Sequence, residues 1–496
     1  MNIFNIEREF RKLEEKESAI TNALSLIYWD SVTGAPKEGM ELRSKMNGIL
    51  SGEAFAILNS KEMTQFAKKI AENKNKVSDI SYACAIDILK EQEKLKHIEK
   101  NEYEDYAELC SKAEYMWEEA KDKSDTSIFL PYLEKIIEFQ KKLIEKRGFK
   151  GHPYNTLLED FEPGITVEIL DKVFNELKDK IVSITKAASK KIVKKTEWEK
   201  CFVPINVQRE FNEEMLKIIG YNFDAGMLKE SEHPFTIGFG PSDIRITTHY
   251  YERNFLSAIF SSIHECGHAI YEQNIEKRFE GTRIATGVSM GIHESQSRFY
   301  ENIIGRSREF WEYMFPIMMR YYEKFIGKVD FEEFLSVINR VEFSKIRTES
   351  DELTYTLHII LRYEIEKKIF EGKLTVNQIE DYWNKLSFEI LGVKINKSSE
   401  GILQDSHWAG GLFGYFPSYA IGNIYSAQIA EKIKSKIDFE GSLKRGNIKT
   451  ITEILKSGIH IYGKLKEPKE IIEGFLEEEM MAEPYINYLS QKFGDK

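Results

Sequence analysis

A five-residue segment, His264-Glu265-Cys266-Gly267-His268, constrains this chain more than any other feature. Its flanks are apolar and free of proline from residue 255 to residue 271, which predicts a helix. On a helix, residues four positions apart share one face, so both imidazoles can reach one metal ion. Glu265 stands beside the first histidine, where its carboxylate can take a proton from a nearby water. This spacing is typical of zinc peptidases.

A site of this kind needs a third ligand, and Glu294 lies 26 positions after His268 in a second helical run. Zinc peptidases of the thermolysin-like class take a glutamate from a following helix, and Glu294 fits that role. The alternative is an ordinary helix with two surface histidines, which the downstream glutamate argues against. Cys266 points to another side of the helix, so we expect it to pack rather than to bind metal. We predict a catalytic zinc site made by His264, His268 and Glu294.

The composition limits the partners of the chain. Its 496 residues carry a net charge of −11, which argues against general binding of nucleic acids or anionic membranes. Four widely spaced cysteines indicate neither a disulfide scaffold nor a zinc ribbon.

The uncharged stretch between Asp405 and Glu431 contains glycines and a proline, so we predict protein interior rather than a membrane span. The N-terminus is charged too early for a signal peptide, which favours the cytoplasm.

We expect one peptidase unit over residues 1–496 with two approximate lobes. Residues 1–150 show the periodicity of long amphipathic helices and are predicted to form a lid. Residues 151–496 are predicted to hold the catalytic region with the zinc site. Within the first lobe, Pro36 predicts a helix–helix turn with a buried Trp29.

Residues 233–250 differ from the helical remainder. β-Branched and aromatic residues flank the turn Gly240-Pro241-Ser242-Asp243, which predicts a pair of strands just before the zinc helix. An exposed edge of this hairpin could bind a substrate backbone by strand addition. A purely structural hairpin is the alternative, and the two interpretations are compatible.

Two later segments offer polar groups. Arg347 and Asp351 are four positions apart in a stretch expected to be helical, so an ion pair could fix the direction of the guanidinium. The alternative is an exposed surface pair that adds little stability.

The segment around His407 runs on to Tyr415 and Tyr419 beside a glycine-rich turn. Histidine and tyrosine are suitable donors to an oxyanion, although these side chains could equally be core aromatics.

The order of these motifs resembles that of the carboxypeptidase Taq family of zinc carboxypeptidases over residues about 20 to 430. An early pattern from Trp29 to Arg43 is also similar to the family's. Ser350 and Ala35 depart from the usual alanine and methionine, and neither touches a proposed catalytic role. The matching elements are His233-Pro234-Phe235, Asp243-Ile244-Arg245-Ile246-Thr247, His264-Glu265-Cys266-Gly267-His268, His293-Glu294-Ser295-Gln296, Ile346-Arg347-Thr348-Glu349-Ser350-Asp351 and Gly401-Ile402-Leu403-Gln404-Asp405-Ser406-His407-Trp408.

The resemblance implies a mostly α fold, a large helical two-lobed saddle around a deep groove with a small β-hairpin or sheet beside the zinc helix. It implies a homodimer that removes residues from peptide C-termini with broad specificity. His264, His268 and Glu294 would hold one Zn²⁺ per chain, and Glu265 would be the general base. Co²⁺ would fit the same ligands.

The resemblance also implies substrate contacts. Arg347 and Arg245 become candidates for gripping the terminal carboxylate of the peptide. Similarity to helical zinc oligopeptidases makes His407 and Tyr419 candidates for oxyanion stabilisation. Tyr415 is a further candidate in the substrate site.

Three other functions compete with a zinc metallocarboxypeptidase. An endo-acting oligopeptidase would also cut peptides with an amidated C-terminus. A non-catalytic peptide-binding protein with structural zinc would have no use for Glu265. An aminopeptidase would need an acidic patch for the substrate ammonium group, and no motif shows one.

Overall fold

The computed structural model describes residues 2–96, 98–188 and 195–494. Long amphipathic helices build the N-terminal part, as the periodicity predicts. Trp29 is buried near the end of the first helix, and a turn separates that helix from the second, so the predicted helix–helix turn is confirmed. These helices are α1 (Ile3–Thr33), α2 (Met40–Leu58), α3 (Lys61–Ala71), α4 (Asp79–Leu95), α5 (Lys100–Lys123) and α6 (Leu130–Arg147).

The remaining described helices form the larger part of the molecule, and α10 among them carries the His264–His268 segment. They are α7 (Asn155–Leu158), α8 (Val167–Ala188), α9 (Ile205–Ile219), α10 (Phe255–Gln273), α11 (Met290–Arg298), α12 (Arg308–Ile326), α13 (Phe331–Ile338), α14 (Glu352–Phe370), α15 (Ile379–Leu386), α16 (Phe416–Lys434), α17 (Phe439–Lys444), α18 (Ile448–Gly458), α19 (Pro468–Leu476) and α20 (Glu483–Phe493). The fold is therefore mostly α, as expected.

A small sheet lies directly before α10. Its strands are β1 (Leu228–Glu230), β2 (Thr236–Gly238) and β3 (Ile244–Thr248), in the spatial order β1-β3-β2. β2 and β3 are antiparallel and place Ile237 opposite Arg245, which confirms the predicted strand pair. β1 joins β3 in parallel. The sequence did not predict this third strand, because Leu228-Lys229-Glu230 contains no β-branched or aromatic residue.

Helices α10, α11 and α16 pack through glycine at the centre of the molecule. A Cβ on Gly267 of α10 would lie 2.7 Å from the carbonyl oxygen of Gln296 on α11. A Cβ on Gly422 of α16 would lie 2.8 Å from the Cβ of Glu294. The absent side chains therefore let three backbones approach closely.

The uncharged C-terminal stretch forms most of α16, whose residues from Phe416 to Ala430 are nearly all buried. This confirms protein interior for the helical part of the stretch, whereas Ser406 and Leu412 before it are exposed. Cys266 is also fully buried, as expected for a packing residue. Within the described ranges, no helix combines the length and apolar character that a membrane span requires.

Candidate active site

Three side chains that can bind a metal meet where α10 and α11 pack. His264 and His268 project from α10 one turn apart, and Glu294 projects from α11. Oε2 of Glu294 lies 3.8 Å from Nε2 of His264 and 3.5 Å from Nε2 of His268. The three ligand atoms all lie within 4.8 Å of one another, and the described residues contain no second cluster of this kind.

The geometry of this cluster fits a tetrahedral ion. Zinc bonds of about 2.0–2.1 Å place ligand atoms roughly 3.4 Å apart, close to the two distances measured to Glu294. Two imidazole nitrogens and one carboxylate oxygen suit zinc or cobalt. Burial, with the imidazole of His293 beside it, lowers the pKa of His268 to about 3. His268 is therefore neutral near pH 7, the form that binds metal.

Two charged residues hold the first and third of these side chains. Glu301 lies on a π-helical turn, Phe299–Ile304, that follows α11, and its Oε2 is 2.9 Å from Nδ1 of His264. Nε of Arg298 donates to Oε1 of Glu294 at 2.7 Å, and its Nη1 donates to Glu301 at 3.2 Å. Burial alone would raise the pKa of Glu294, but the Arg298 guanidinium and the adjacent His264 hold it far below its usual range.

Burial also opposes the charge of Glu301, yet the Arg298 guanidinium and the bond with His264 lower the pKa of Glu301 to about 2. A charged carboxylate only accepts, so Nδ1 of His264 is the donor, and Nε2 is left as the nitrogen that can bind a metal. The sequence reasoning did not single out Glu301 or Arg298. Their spacing from Glu294, seven and four positions, was the available signal.

The proposed base, Glu265, is buried beside this cluster. Thr236 on β2 donates its hydroxyl to Oε2 of Glu265 at 2.7 Å. Burial raises the pKa of Glu265, while the adjacent His264 and the bond from Thr236 oppose the rise. A carboxyl group with a raised pKa accepts and releases a proton closer to neutral pH, which suits acid–base chemistry. Thr236 was also missed by sequence reasoning.

A groove of about 1980 Å³ opens over these residues. Its wall includes the three ligands, Glu265, and both Phe235 and Thr236 of the β2 region. Side chains of the N-terminal helices line the groove as well, among them Tyr82, Lys90 and Lys94 of α4. Peptide-sized space therefore lies between the N-terminal helices and the metal cluster.

Arg347 lines the same groove and belongs to a cluster of buried charges. Its Nε and Nη2 lie 3.0 and 2.9 Å from Oδ1 of Asp405. Nε of Arg362 donates to Oδ2 of the same carboxylate at 2.8 Å. Two guanidinium groups thus share one carboxylate, and the cluster keeps one surplus positive charge. Arg362 is fully buried, so Arg347 is the member that faces the groove.

The predicted pair of Arg347 with Asp351 is wrong. Arg347 lies in a 3-10 turn, Arg347–Glu349, rather than in a helix, so the four-residue spacing does not bring the two side chains together. Asp351 instead caps α14 by accepting from the backbone N–H groups of Leu353 and Thr354. Asp405 is the partner of Arg347.

The structure does not bring Arg245 to the groove wall. Its Nε and Nη2 donate to both oxygens of Asp243, at 2.8 and 2.6 Å. Its guanidinium carbon lies 5.6 Å from the ring centre of Trp29 and 4.7 Å from that of Phe239. Arg245 therefore joins strand β3 to helix α1, away from the groove wall.

The aromatic candidates divide into two layers. Tyr415 and Tyr419 line the groove, whereas His407 lies behind them with its Nε2 3.3 Å from the hydroxyl of Tyr419. Burial lowers the pKa of His407 to about 4 although Asp405 opposes this, so the ring is neutral near pH 7. Burial raises the pKa of both tyrosines, which therefore keep their protons.

Comparison with known proteins identifies the family. The family model described as carboxypeptidase Taq (M32) metallopeptidase matches residues 9–493. The chain belongs to the carboxypeptidase Taq (M32) metallopeptidase family. The resemblance drawn from the motifs is thereby confirmed, and the protein is a metallocarboxypeptidase that acts on peptides with a divalent metal.

Curated members of the M32 family match along the whole length. Carboxypeptidase 1 of Bacillus subtilis is 44% identical over 100% of this chain and 99% of its own length. Thermostable carboxypeptidase 1 of Thermus thermophilus is 35% identical over 97% of this chain and 96% of its own.

Solved M32 structures share the fold. A Pyrococcus furiosus carboxypeptidase structure superposes with a TM-score of 0.95 at 34% identity, covering 99% of both chains. The M32 carboxypeptidase from Deinococcus radiodurans R1 gives a TM-score of 0.95 at 29% identity with the same coverage. The helical fold with a small sheet beside α10 is thus the fold of this family.

Proposed function

We propose that this metallocarboxypeptidase removes single residues from peptide C-termini with broad specificity, and that His264, His268 and Glu294 hold one zinc ion. A zinc ion in that position supplies a Lewis acid that polarises the scissile carbonyl and acidifies water. One observation carries the proposal: a buried carboxylate, Glu265, lies beside three metal-binding side chains on the wall of one groove. Cobalt suits the same donor set.

Glu265 is the general base. It takes a proton from the attacking water and later delivers the proton to the leaving amine. The bond from Thr236 to Oε2 keeps the carboxylate in one orientation, so we assign the proton transfer to Oε1.

Arg347 grips the terminal carboxylate of the peptide. The surplus positive charge of its cluster faces the groove, where a carboxylate can accept charge-assisted hydrogen bonds from the guanidinium. Tyr355 accepts from Nη1 of Arg347 at 2.9 Å and fixes the direction of the fork. We assign Arg245 a structural role because its guanidinium pairs with Asp243 and does not line the groove.

Tyr419 donates to the oxyanion of the tetrahedral intermediate, and Tyr415 lies beside it in the substrate site. Both hydroxyl groups are protonated at neutral pH because burial raises their pKa. His407 acts through Tyr419, since its Nε2 lies against the tyrosine hydroxyl rather than on the groove wall.

Broad specificity follows from backbone recognition. β2 forms one edge of the sheet, and Thr236 places this edge on the groove wall. A peptide added to this edge would be held by main-chain hydrogen bonds, which do not read side chains.

A homodimer is supported by the surface of α2, where only Ala54 and Leu58 are buried. A helix with so many exposed apolar side chains suits an interface with a second copy. The most exposed of these side chains are Met40, Leu42, Met46 and Ile49.

We also propose a cytoplasmic enzyme built as one peptidase unit. All four cysteines are free, which fits a reducing compartment. Lobes of residues 1–150 and 151–496 share one hydrophobic core that extends from Ile6 to Phe493.

The test is a timed mass-spectrometric digest of an unstructured peptide of about ten residues, a length that suits a groove of this size. The peptide is supplied with a free or an amidated C-terminus, each with and without chelator. We expect a ladder that loses one residue at a time from the free C-terminus and stops with chelator or amidation. Peptides that end in apolar, acidic and basic residues test the breadth of specificity.

Internal cuts in both peptides would identify an endopeptidase and overturn the role of Arg347. Trimming from the N-terminus would identify an aminopeptidase. Absence of cleavage by the zinc-loaded protein would leave only peptide binding.

A further inference from the structure

The two ligand histidines are held in different ways. His264 bonds directly to a carboxylate, Glu301, at 2.9 Å. His268 bonds to a second imidazole, with Nδ1 of His293 lying 2.6 Å from its own Nδ1. The other nitrogen of His293, Nε2, lies 2.9 Å from Oε1 of Glu272. A chain of hydrogen bonds therefore runs from Glu272 through His293 to His268.

The direction of this chain is fixed at Glu272. Its Oε1 accepts from the backbone N–H of Gly287 at 2.8 Å and from the hydroxyl of Thr286 at 3.0 Å. An oxygen that accepts from an obligatory backbone donor also accepts from His293, so Nε2 of His293 carries a proton. In the tautomer with its proton on Nε2, His293 presents Nδ1 as an acceptor 2.6 Å from Nδ1 of His268, and Nδ1 of His268 is then the donor.

We propose that His293 and Glu272 are positioning residues that lock the tautomer of His268, so that the lone pair of its Nε2 faces Glu294. This inference rests on the proposed ligand set. With the proton of His268 held on Nδ1, Nε2 is the atom 3.5 Å from Oε2 of Glu294 and is ready for the metal.

The surroundings of His293 support this role. A Cβ on Gly287 would lie 2.5 Å from Cδ2 of His293 and 2.9 Å from Cε1 of Tyr271. The ring is thus confined on one side by a backbone without a side chain. A confined ring with bonds at both nitrogens has one orientation, and its tautomer follows from Glu272.

The test compares His293→Leu with His293→Asn, two side chains that branch at Cγ as the imidazole does. Asn keeps an oxygen near the position of Nδ1 that can accept from His268, and Leu keeps none. The zinc dissociation constant is measured by competition with a chromophoric chelator, together with the unfolding temperature of the metal-free protein. Loss of a residue that holds a metal ligand typically weakens metal binding by about 10–100-fold. We expect that loss for Leu and recovery of most of it for Asn.

His460→Leu is the matched control. This imidazole is fully buried in the same region and bonds to Gln296 at 2.9 Å rather than to a ligand. We expect His460→Leu to lower the unfolding temperature as much as His293→Leu while zinc affinity stays within about threefold. Equal losses of zinc affinity in the two variants, or no recovery by Asn, would overturn the relay.

Glu272→Leu tests the same relay without removing a ring. It removes the acceptor that holds the proton of His293 on Nε2, so we expect weaker zinc binding; wild-type affinity would contradict the relay. His268→Ala and Glu294→Ala separate this inference from the ligand assignment. If these two variants keep a full zinc complement, the ligand assignment fails. If they lose zinc while His293→Leu keeps wild-type affinity, only the relay fails.

Discussion

Two regions of the groove, the metal corner and the arginine corner, carry net charges of opposite sign. At the metal corner, the carboxylates of Glu265, Glu294 and Glu301 meet the guanidinium groups of Arg298 and Arg306, which leaves a negative charge. At the other corner, two guanidinium groups share the carboxylate of Asp405, which leaves a positive charge.

The sign of the net charge indicates which kind of ligand each corner can bind. Buried ion pairs that balance need no further partner, whereas a buried surplus charge is costly unless a ligand completes it. The metal corner requires a cation and the arginine corner requires an anion. A metal ion and the terminal carboxylate of a peptide have these charges.

The largest expected effect is at the metal corner. Glu265→Gln removes the base but leaves the three ligands, so turnover should fall by about 10²–10⁴-fold while one metal ion per chain stays bound. Turnover at saturating zinc and metal content by elemental analysis measure the two properties. Retained turnover would remove Glu265 from the mechanism, and lost metal would assign it to the ligand set.

Tyr419 lies between the corners, since the guanidinium of Arg347 is 5.1 Å from its ring centre. Tyr419→Phe keeps this ring but loses the donor, so kcat should fall by about 10²–10³-fold with little change in KM. The control is Tyr415→Phe, which should lose less. A kcat within threefold of wild type would remove Tyr419 from oxyanion binding.

At the arginine corner, Arg347→Met should lower kcat/KM for free C-termini by on the order of 10²-fold, because loss of one partner of a buried charge pair costs about 2–5 kcal/mol. Steady-state kinetics on free and amidated peptides measure this. The matched variant is Arg245→Met, whose kcat/KM should stay within about threefold while the melting temperature falls. The reverse pattern would make Arg245 the residue that grips the carboxylate.

The smallest effect concerns the wall beneath the metal corner. Glu162, from the segment between α7 and α8, is buried against the start of α11. It accepts from the hydroxyl of Ser289 at 2.8 Å and from the backbone N–H of Gly291 at 2.6 Å. Burial raises its pKa from 4.5 to about 7. The folded state therefore binds this proton more tightly, and the free energy of unfolding falls as pH rises from 4.5 to about 7.

Glu162→Gln should reduce that slope by at most about 1.4 kcal/mol per pH unit. Urea unfolding at several pH values across this window measures the slope, and the exposed Glu159→Gln is the control. Parallel curves for Glu162→Gln and wild type would contradict the assignment.

The sequence predicted what local geometry determines. Two histidines four positions apart on a helix must share a face, and the run from Phe416 to Ala430 could only be interior. The strand pair before α10 followed from its residue types and turn. The family resemblance supplied the groove and the metal-dependent chemistry.

Contacts between distant segments were not predictable from one sequence. Asp405 is 58 positions from Arg347, and Thr236 is 29 positions from Glu265. No periodicity links such residues, because they meet only when separate elements pack. The local rule failed at Arg347 for the same reason: the backbone leaves the helix there, and the partner comes from another segment.

Gly267, between the two histidines, sets how closely α10 can approach the backbone of α11. Its hydrogen occupies the space where a methyl group would come within 2.7 Å of the backbone of α11. Metal–ligand bonds tolerate distance errors of about ±0.2 Å, which is less than the shift that a methyl group would require. A single added methyl group, which carries no charge and makes no bond to the metal, would therefore displace the ligands by more than the site tolerates.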